Sequence, residues 1–409
     1  MTAPLVELYL DRSRASPLDV TLGEATTAHI LQQFVDRAPQ IGSLSSVKMS
    51  WARWRAVSER FSVSALPTLL NLHIFATTQT DSTAPDSALF PQALNLRHLS
   101  IKISGPSAPI WSHLAFPSLT NIQISCWAGG GRRFRMTVGQ LLGVLRSSPL
   151  LEDAHLKIDS LTTEPGVPHR SVPLPRLRKL SMSCSPTPVP ILASITFPPA
   201  ACILVLAHEG PQLWTHDSMV SLGQHLSPLV SGSDELIFYA TDYYNMSTLH
   251  FKRDGETRIE FEYRVPGGII PLEETFAFVT ASPLDAIRRF VIGGRKIQRD
   301  VTNDQVSRAI RNMRSIETLV LINAPHLLPL LLPAIHDGQL PCPTLETLAI
   351  DDNQEIPRKE LVQVAKARAE AGFPLQRVVL RTGYSEEVAG ELCQFVGSVE
   401  HGEDVEFEC

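Results

Sequence analysis

The residues of this sequence that could do chemistry are its histidines, its cysteines and two glycine-arginine runs. Gly129-Gly-Gly-Arg-Arg-Phe-Arg135 joins backbone freedom to three arginines, so an anion could sit there. Gly293-Gly-Arg-Lys296 is a second run of the kind. Neither carries the Gly-Lys-Ser/Thr ending through which a phosphate-binding loop holds phosphate and magnesium, and both read as solvated loops. Nucleophilic catalysis would need a serine or cysteine activated by a neighbouring base. No G-x-S-x-G elbow is present, and Cys126, Cys184, Cys202, Cys342, Cys393 and Cys409 show no CxxC spacing. Trp51-Ala-Arg-Trp54-Arg55 could stack on a base, but with no wider basic field it reads as a pair of core anchors. The expectation is a chain that is not an enzyme and uses no cofactor or metal.

Composition narrows the partners. The 409 residues are 44% hydrophobic and 19% charged, as in an ordered protein, and the formal net charge of −6 argues against nucleic acid. The most apolar run, His326–Ile335, is half the length a membrane helix needs and contains two prolines. Pro4, Glu7 and Asp11 stand where a secretory signal would be basic and then apolar. With unpatterned cysteines, this implies a reducing compartment, cytoplasm or nucleus.

The elements that must position any site come from a repeat. An apolar residue at x is followed by others at x+3 and x+5, often with proline at x−2. The pattern is met at Leu69, Leu72, Ile74; Leu96, Leu99, Ile101; Leu119, Ile122, Ile124; and Leu177, Leu180, Met182. It returns at Ile287, Phe290, Ile292; Ile316, Leu319, Leu321; Leu345, Leu348, Ile350; and Leu375, Val378, Leu380, with starts 29, 29 and 30 residues apart. Relaxing x adds Val20 and Leu22, Val47 and Met49, Ala154 and Leu156, Leu204 and Leu206, Leu236 and Phe238, Phe261 and Tyr263, and Val405 and Phe407. The mean period is about 27.5 residues, that of leucine-rich repeats. Residues x+3 and x+5 lie on one face of a strand, and stacking the units in parallel buries that face.

The fold class is therefore α/β: a leucine-rich-repeat-like solenoid over 1–409, with a parallel sheet and helical or irregular returns. Repeats are regular over 60–190 and 283–409, and the middle, 191–282, is irregular. Predicted return helices cover Thr26–Ala38, Val138–Ser147, Asp217–Val230, Thr302–Met313 and Arg358–Ala371. Asp254-Gly255, between two alternating runs, predicts an antiparallel hairpin insertion near 247–264. Thr77–Pro91 and Thr162–Pro175 read as polar loops.

Side chains at x+2 and x+4 face away from the buried ladder. In the N-terminal half they are polar: Asn71 and His73, His98 and Ser100, Asn121 and Gln123, Asp153 and His155, Lys179 and Ser181. His73 and His155 are three rungs apart, about 14 Å, too far to share a metal held at about 2 Å. Toward the C-terminus, x+4 becomes Val291, Val320, Ala349 and Val379, with Arg289 and Arg377 among the x+2 neighbours. An apolar stripe with a charged rim has the make-up of an interface. These six residues are the predicted partner-binding site if the stripe is open; the equal alternative is that an inserted segment covers it, or that strand propensity alone selected valine.

Tyr9–Leu22, Ser148-Pro-Leu-Leu-Glu152 and Cys342-Pro-Thr-Leu-Glu-Thr-Leu-Ala-Ile350 resemble the F-box/leucine-rich-repeat proteins of mushroom-forming fungi, over nearly the whole chain. The resemblance implies a substrate receptor of a ubiquitin ligase. Two departures stand out. No F-box precedes residue 9, so a cullin-ligase adaptor is an expected partner only if one is restored upstream. The asparagine usual at x+8 is met only by Asn353, against Thr77, Ser104, Trp127, Ser185, Ala324 and Gly383. The alternatives are a stand-alone scaffold, or an enzyme sited in the irregular middle.

Overall fold

The computed structural model describes residues 3–62, 66–77, 93–105, 116–127, 136–159, 161–162, 170–184, 188–207, 215–241, 246–264, 272–294, 297, 302–332, 340–351, 358–381 and 386–401. The chain divides into two compact units, Met1–Ala201 and Cys202–Cys409.

The N-terminal unit contains strands β1 (Leu18–Gly23), β2 (Ile41–Val47), β3 (Met49–Ser50), β4 (Asn71–Thr77), β5 (His98–Ser104), β6 (Asn121–Trp127) and β7 (Met136–Thr137). It continues with β8 (Asp153–Ile158), β9 (Leu161–Thr162), β10 (Val172–Pro173), β11 (Lys179–Cys184) and β12 (Ile195–Thr196). The main ladder runs β1–β2–β4–β5–β6–β8–β11, all parallel and almost without slip. Two short parallel pairs, β7–β9 and β10–β12, stand apart from it.

One local device repeats along the ladder from β4 onward. The N–H of residue x donates to the carbonyl three residues earlier: Leu69 to Leu66, Leu119 to Phe116, Leu151 to Ser148, Leu177 to Leu174. Pro67, Pro117, Pro149 and Pro175 sit second in these turns, where a proline's fixed φ already suits the bend. The N–H groups of the next two residues then share one carbonyl of the rung before, as Thr120 and Asn121 share that of Arg97. Turn and stacking bond together fix where each strand starts. Register is thereby locked.

The C-terminal unit holds β13 (Cys202–Ala207), β14 (Glu235–Thr241), β15 (Met246–Arg253), β16 (Glu256–Arg264), β17 (Arg289–Gly293), β18 (Thr318–Ile322), β19 (Thr347–Asp351), β20 (Arg377–Leu380) and β21 (Ser398–His401). The order in space is β13–β16–β15–β14–β17–β18–β19–β20–β21. The predicted hairpin is β15–β16, turned by Asp254 and Gly255 at φ 52° and 78°, the left-handed values a two-residue hairpin turn needs. It is not a protrusion. β15 is antiparallel to both neighbours, so β16 regains the common direction and pairs in parallel with β13.

The strict repeat residues behave as predicted: Leu72, Leu99, Ile122, Leu180, Phe290, Leu319, Leu348 and Val378 are all buried. Helices occupy Ala28–Asp36, Val138–Arg146, His216–His225, Asn303–Asn312 and Arg358–Glu370. The first four are N-capped by Thr27, Thr137, Thr215 and Thr302, whose hydroxyls accept from backbone N–H groups of the first turn. Trp54 is an anchor as read, 0% exposed.

Three assignments need correction. Val47 is 52% exposed, because β2 turns Leu44 and Ser46 inward instead. Ser46 is passed over by an apolar search, yet its hydroxyl accepts from the Phe75 N–H at 2.9 Å and donates to the Phe75 carbonyl at 3.3 Å. In β13 the buried residues are Ile203 and Val205, not Leu204 and Leu206, a slip of one. Gly293 and Gly294 are not a loose loop: a Cβ on Gly293 would lie 2.5 Å from Cβ of Ile322, and one on Gly294, at φ 105°, 1.7 Å from the Ala240 carbonyl oxygen. Gly129–Arg135, Arg295, Lys296, Asn353, Val405, Phe407 and most of the two predicted polar loops lie outside the described residues.

Candidate interaction face

The residues predicted to form the partner site do come into line. Val291, Val320, Ala349 and Val379 are paired one to the next across β17–β20, and Arg289, Thr318, Thr347 and Arg377 run beside them. The stripe is not open. Each of the four apolar residues is 2% exposed, in a buried cluster with Ile237 and Ile322 against which Tyr239 packs. The burial arises within this one chain, so the chain itself covers them. The rim is occupied too. Arg289 pairs with Glu235 and Arg377 with Glu400, while Arg381 reaches Asp351 at 2.7 Å. With both faces of these strands buried, the runs Leu319-Val-Leu-Ile322 and Val378-Val-Leu380 are continuous in hydrophobicity rather than alternating.

The N-terminal ladder behaves oppositely. β4, β5 and β8 alternate buried and accessible residues along their length, so one face packs and the other stays open. On the open face, lateral register sorts the side chains into rows. The central row runs Thr21, Ser45, His73, Ser100, Gln123, His155, Ser181 across seven strands. Every member carries a hydroxyl, amide or imidazole able to hydrogen-bond. Beside it runs Asp19, Ser43, Asn71, His98, Asn121, Asp153, Lys179, and on the far side Phe75, Lys102, Ser125, Lys157, Ser183.

These groups are ordered by one another. Thr21 and Ser45 hydroxyls are 2.8 Å apart, the Ser100 hydroxyl donates to Gln123 Oε1 at 3.0 Å, and Asn121 Nδ2 lies 3.0 Å from His98 Nδ1. Over the middle strands the face forms a depression of about 480 Å³ lined by His73, His98, Ser100, Asn121, Gln123 and His155, among others. The pKa of His155 is held below the usual imidazole range, first by partial burial and then by Lys157, Lys179 and Lys102. Its ring therefore offers one donor and one acceptor at neutral pH. Among the described residues no three His, Cys, Asp or Glu side chains converge as a metal would require. No helix there is long and apolar enough to cross a membrane.

The open face is legible in the sequence as the polar x+2 and x+4 positions, and the burial of the apolar stripe is legible too. The discriminating signal is the alternation itself: His98-Leu-Ser-Ile-Lys-Ile-Ser104 alternates strictly, and Thr318-Leu-Val-Leu-Ile322 does not.

No protein-family profile and no curated protein matches the chain. Among solved structures it is similar to the leucine-rich-repeat-containing protein LegL7 of Legionella pneumophila, at 11% identity and a TM-score of 0.29 over 93% of this chain and 89% of that one.

Proposed function

We propose that this chain is a non-enzymatic recognition scaffold that holds a protein partner on the open face of its N-terminal ladder. The observation that carries the reading is the seven-strand row from Thr21 to Ser181. It is a rigid, continuous line of donors and acceptors on a face that the unit's own packing does not consume. Such a row suits main-chain and side-chain hydrogen bonding to another polypeptide. Use as a substrate receptor of a ubiquitin ligase is supported only by the resemblance of Tyr9–Leu22 and the repeats to F-box/leucine-rich-repeat proteins. A cytoplasmic or nuclear setting is supported by the free thiols of Cys126, Cys184, Cys202, Cys342 and Cys393.

The test is affinity purification of the full chain, wild type against Ser100→Arg/Gln123→Arg. These half-exposed positions can take arginine without touching the core, so the melting temperature should hold while the captured partner is lost. Equal capture by both would overturn the reading. Co-purification of a cullin-ligase adaptor separates a ligase receptor from a stand-alone scaffold.

A further inference from the structure

Building on the reading that the open N-terminal face receives a polypeptide, we propose that its centre recognises an acidic peptide segment, through Lys102, Lys157 and Lys179 arranged around His155.

The placement follows from register. Lys102 and Lys157 occupy one row, with Ser125 between them, so their backbones are about 10 Å apart. Lys179 stands on the strand after Lys157, paired laterally with Asp153. All three lysines are exposed, as is His155 in their midst. The ammonium groups lie near enough to His155 to act on its ring together.

What sets them apart is that three cations gather around one residue of an open face, with no ion pair among the described residues. The chain carries an acidic excess, with a net charge of −6. Several cations elsewhere are answered by carboxylates: Arg37 by Asp11, Lys252 and Arg289 by Glu235, Arg358 by Glu387 and Glu391, Arg377 by Glu400. Among the described residues none of Lys102, Lys157 and Lys179 makes an ion pair. Three cations with no ion pair among the described residues, on one face, complement carboxylates spaced along an extended chain.

The surroundings favour peptide over polyphosphate. The row beside the lysines offers hydroxyl, amide and imidazole groups suited to main-chain amides. Phe75 and Trp127, with ring centroids 6.5 Å apart, add an apolar contact at the edge of the face beside Lys102. Nucleic acid would call for a longer basic track, whereas here Asp153 interrupts the field.

The test is fluorescence anisotropy on the full chain with three fluorescein-labelled probes: a glutamate-rich decapeptide containing one phenylalanine, a serine-glycine decapeptide, and a ten-nucleotide oligouridine. The acidic peptide should bind and the neutral one should not. Lys102→Glu/Lys157→Glu/Lys179→Glu should weaken binding by about tenfold or more, and raising salt should weaken it in the wild type. If the triple variant does not fold, the single Lys102→Gln, Lys157→Gln and Lys179→Gln variants should each lower affinity by a few fold. Three results would overturn the proposal: no binding of the acidic peptide, binding that the lysine variants leave unchanged, or tighter binding of oligouridine. If partner capture still depends on Ser100 and Gln123 while the acidic peptide is ignored, only this inference falls. If capture is also independent of those residues, the recognition reading falls with it.

Discussion

Arg368, 0% exposed in the helix Arg358–Glu370, donates from Nη2 to the carbonyl oxygen of Cys342 at 2.9 Å. Cys342 is held at φ 48°, a left-handed value that a non-glycine residue adopts at a cost. The same guanidinium reaches the carbonyls of Pro341 at 3.0 Å and Leu345 at 3.2 Å. One side chain thus ties a return helix to the turn that launches β19. Without it, three buried acceptors would lack these partners.

Replacing Arg368 with methionine keeps the stem's packing and removes all three bonds. Urea unfolding should show a loss of roughly 3–5 kcal/mol, since hydrogen bonds to charged groups are strong and their buried partners are left unmet. Arg368→Lys should recover part of this, because an ammonium cannot span three carbonyls in a plane. An unchanged midpoint in the methionine variant would show the clamp to be dispensable.

The thiols give a pH-dependent prediction. Burial pushes Cys184 and Cys342 up from 9.0 to about 12, in Cys342 against the opposing pull of Arg368, and it pushes Cys126 higher still. A group whose pKa is raised on folding contributes stability that is complete below its unfolded value and lost above it. The urea midpoint should therefore fall as pH rises from 9 toward 12. At pH 8, exposed Cys393 should react with iodoacetamide at least about 100-fold faster than these three. Mass spectrometry of the labelled sites decides it, and comparable labelling of Cys342 would mean that its turn opens readily.

Gly294 admits no side chain. At φ 105°, with the Ala240 carbonyl oxygen 1.7 Å from any Cβ, it lets β17 close on β14 while its N–H donates to Ile322 at 2.8 Å. Gly294→Ala should destabilise by more than about 3 kcal/mol. Gly390, in the helix Glu386–Leu392 with open space around it, should accept alanine with a gain of up to about 1 kcal/mol. Equal melting temperatures for the two variants would contradict this account of the glycine pair.

Much of the architecture was legible because a strand with one buried face must alternate, and the same turn recurs along the ladder. Leu69, Leu119 and Leu345 announced their strands through spacing and through the prolines two residues before them. What hid was polar or small. Ser46 replaced an apolar residue at an inward position, and β21 carries only Val399 facing Val378 across the ladder. Whether the apolar stripe is open was not legible at x+4 for a related reason. An apolar residue at x+4 reads alike whether its face is open or covered. The continuous apolar runs were the only local trace of that cover.

That cover makes the last prediction, on two neighbouring residues of opposite faces. Leu348 points into the repeat core at 0% exposure, while Val320, on the adjacent strand, points the other way and is 2% exposed. If the outer cluster is a second core, truncation should cost comparably on both sides. Leu348→Ala should lose roughly 2–5 kcal/mol. Val320→Ala, which removes two methyl groups, should lose about 1.5–3 kcal/mol. The sharper variant is Val320→Asp, which would place a carboxylate beside Ile237, Val291 and Ala349 with no cation in the cluster. An unpaired buried charge is among the most costly single changes, so this variant should be largely unfolded or melt many degrees lower. The comparison that isolates the face is Gln123→Asp at the matching position of the N-terminal ladder, where the side chain is only half buried and the row is polar. That variant should melt within a few degrees of wild type. If Val320→Asp is as well tolerated as Gln123→Asp, the stripe is open in solution and the C-terminal face becomes the docking surface instead.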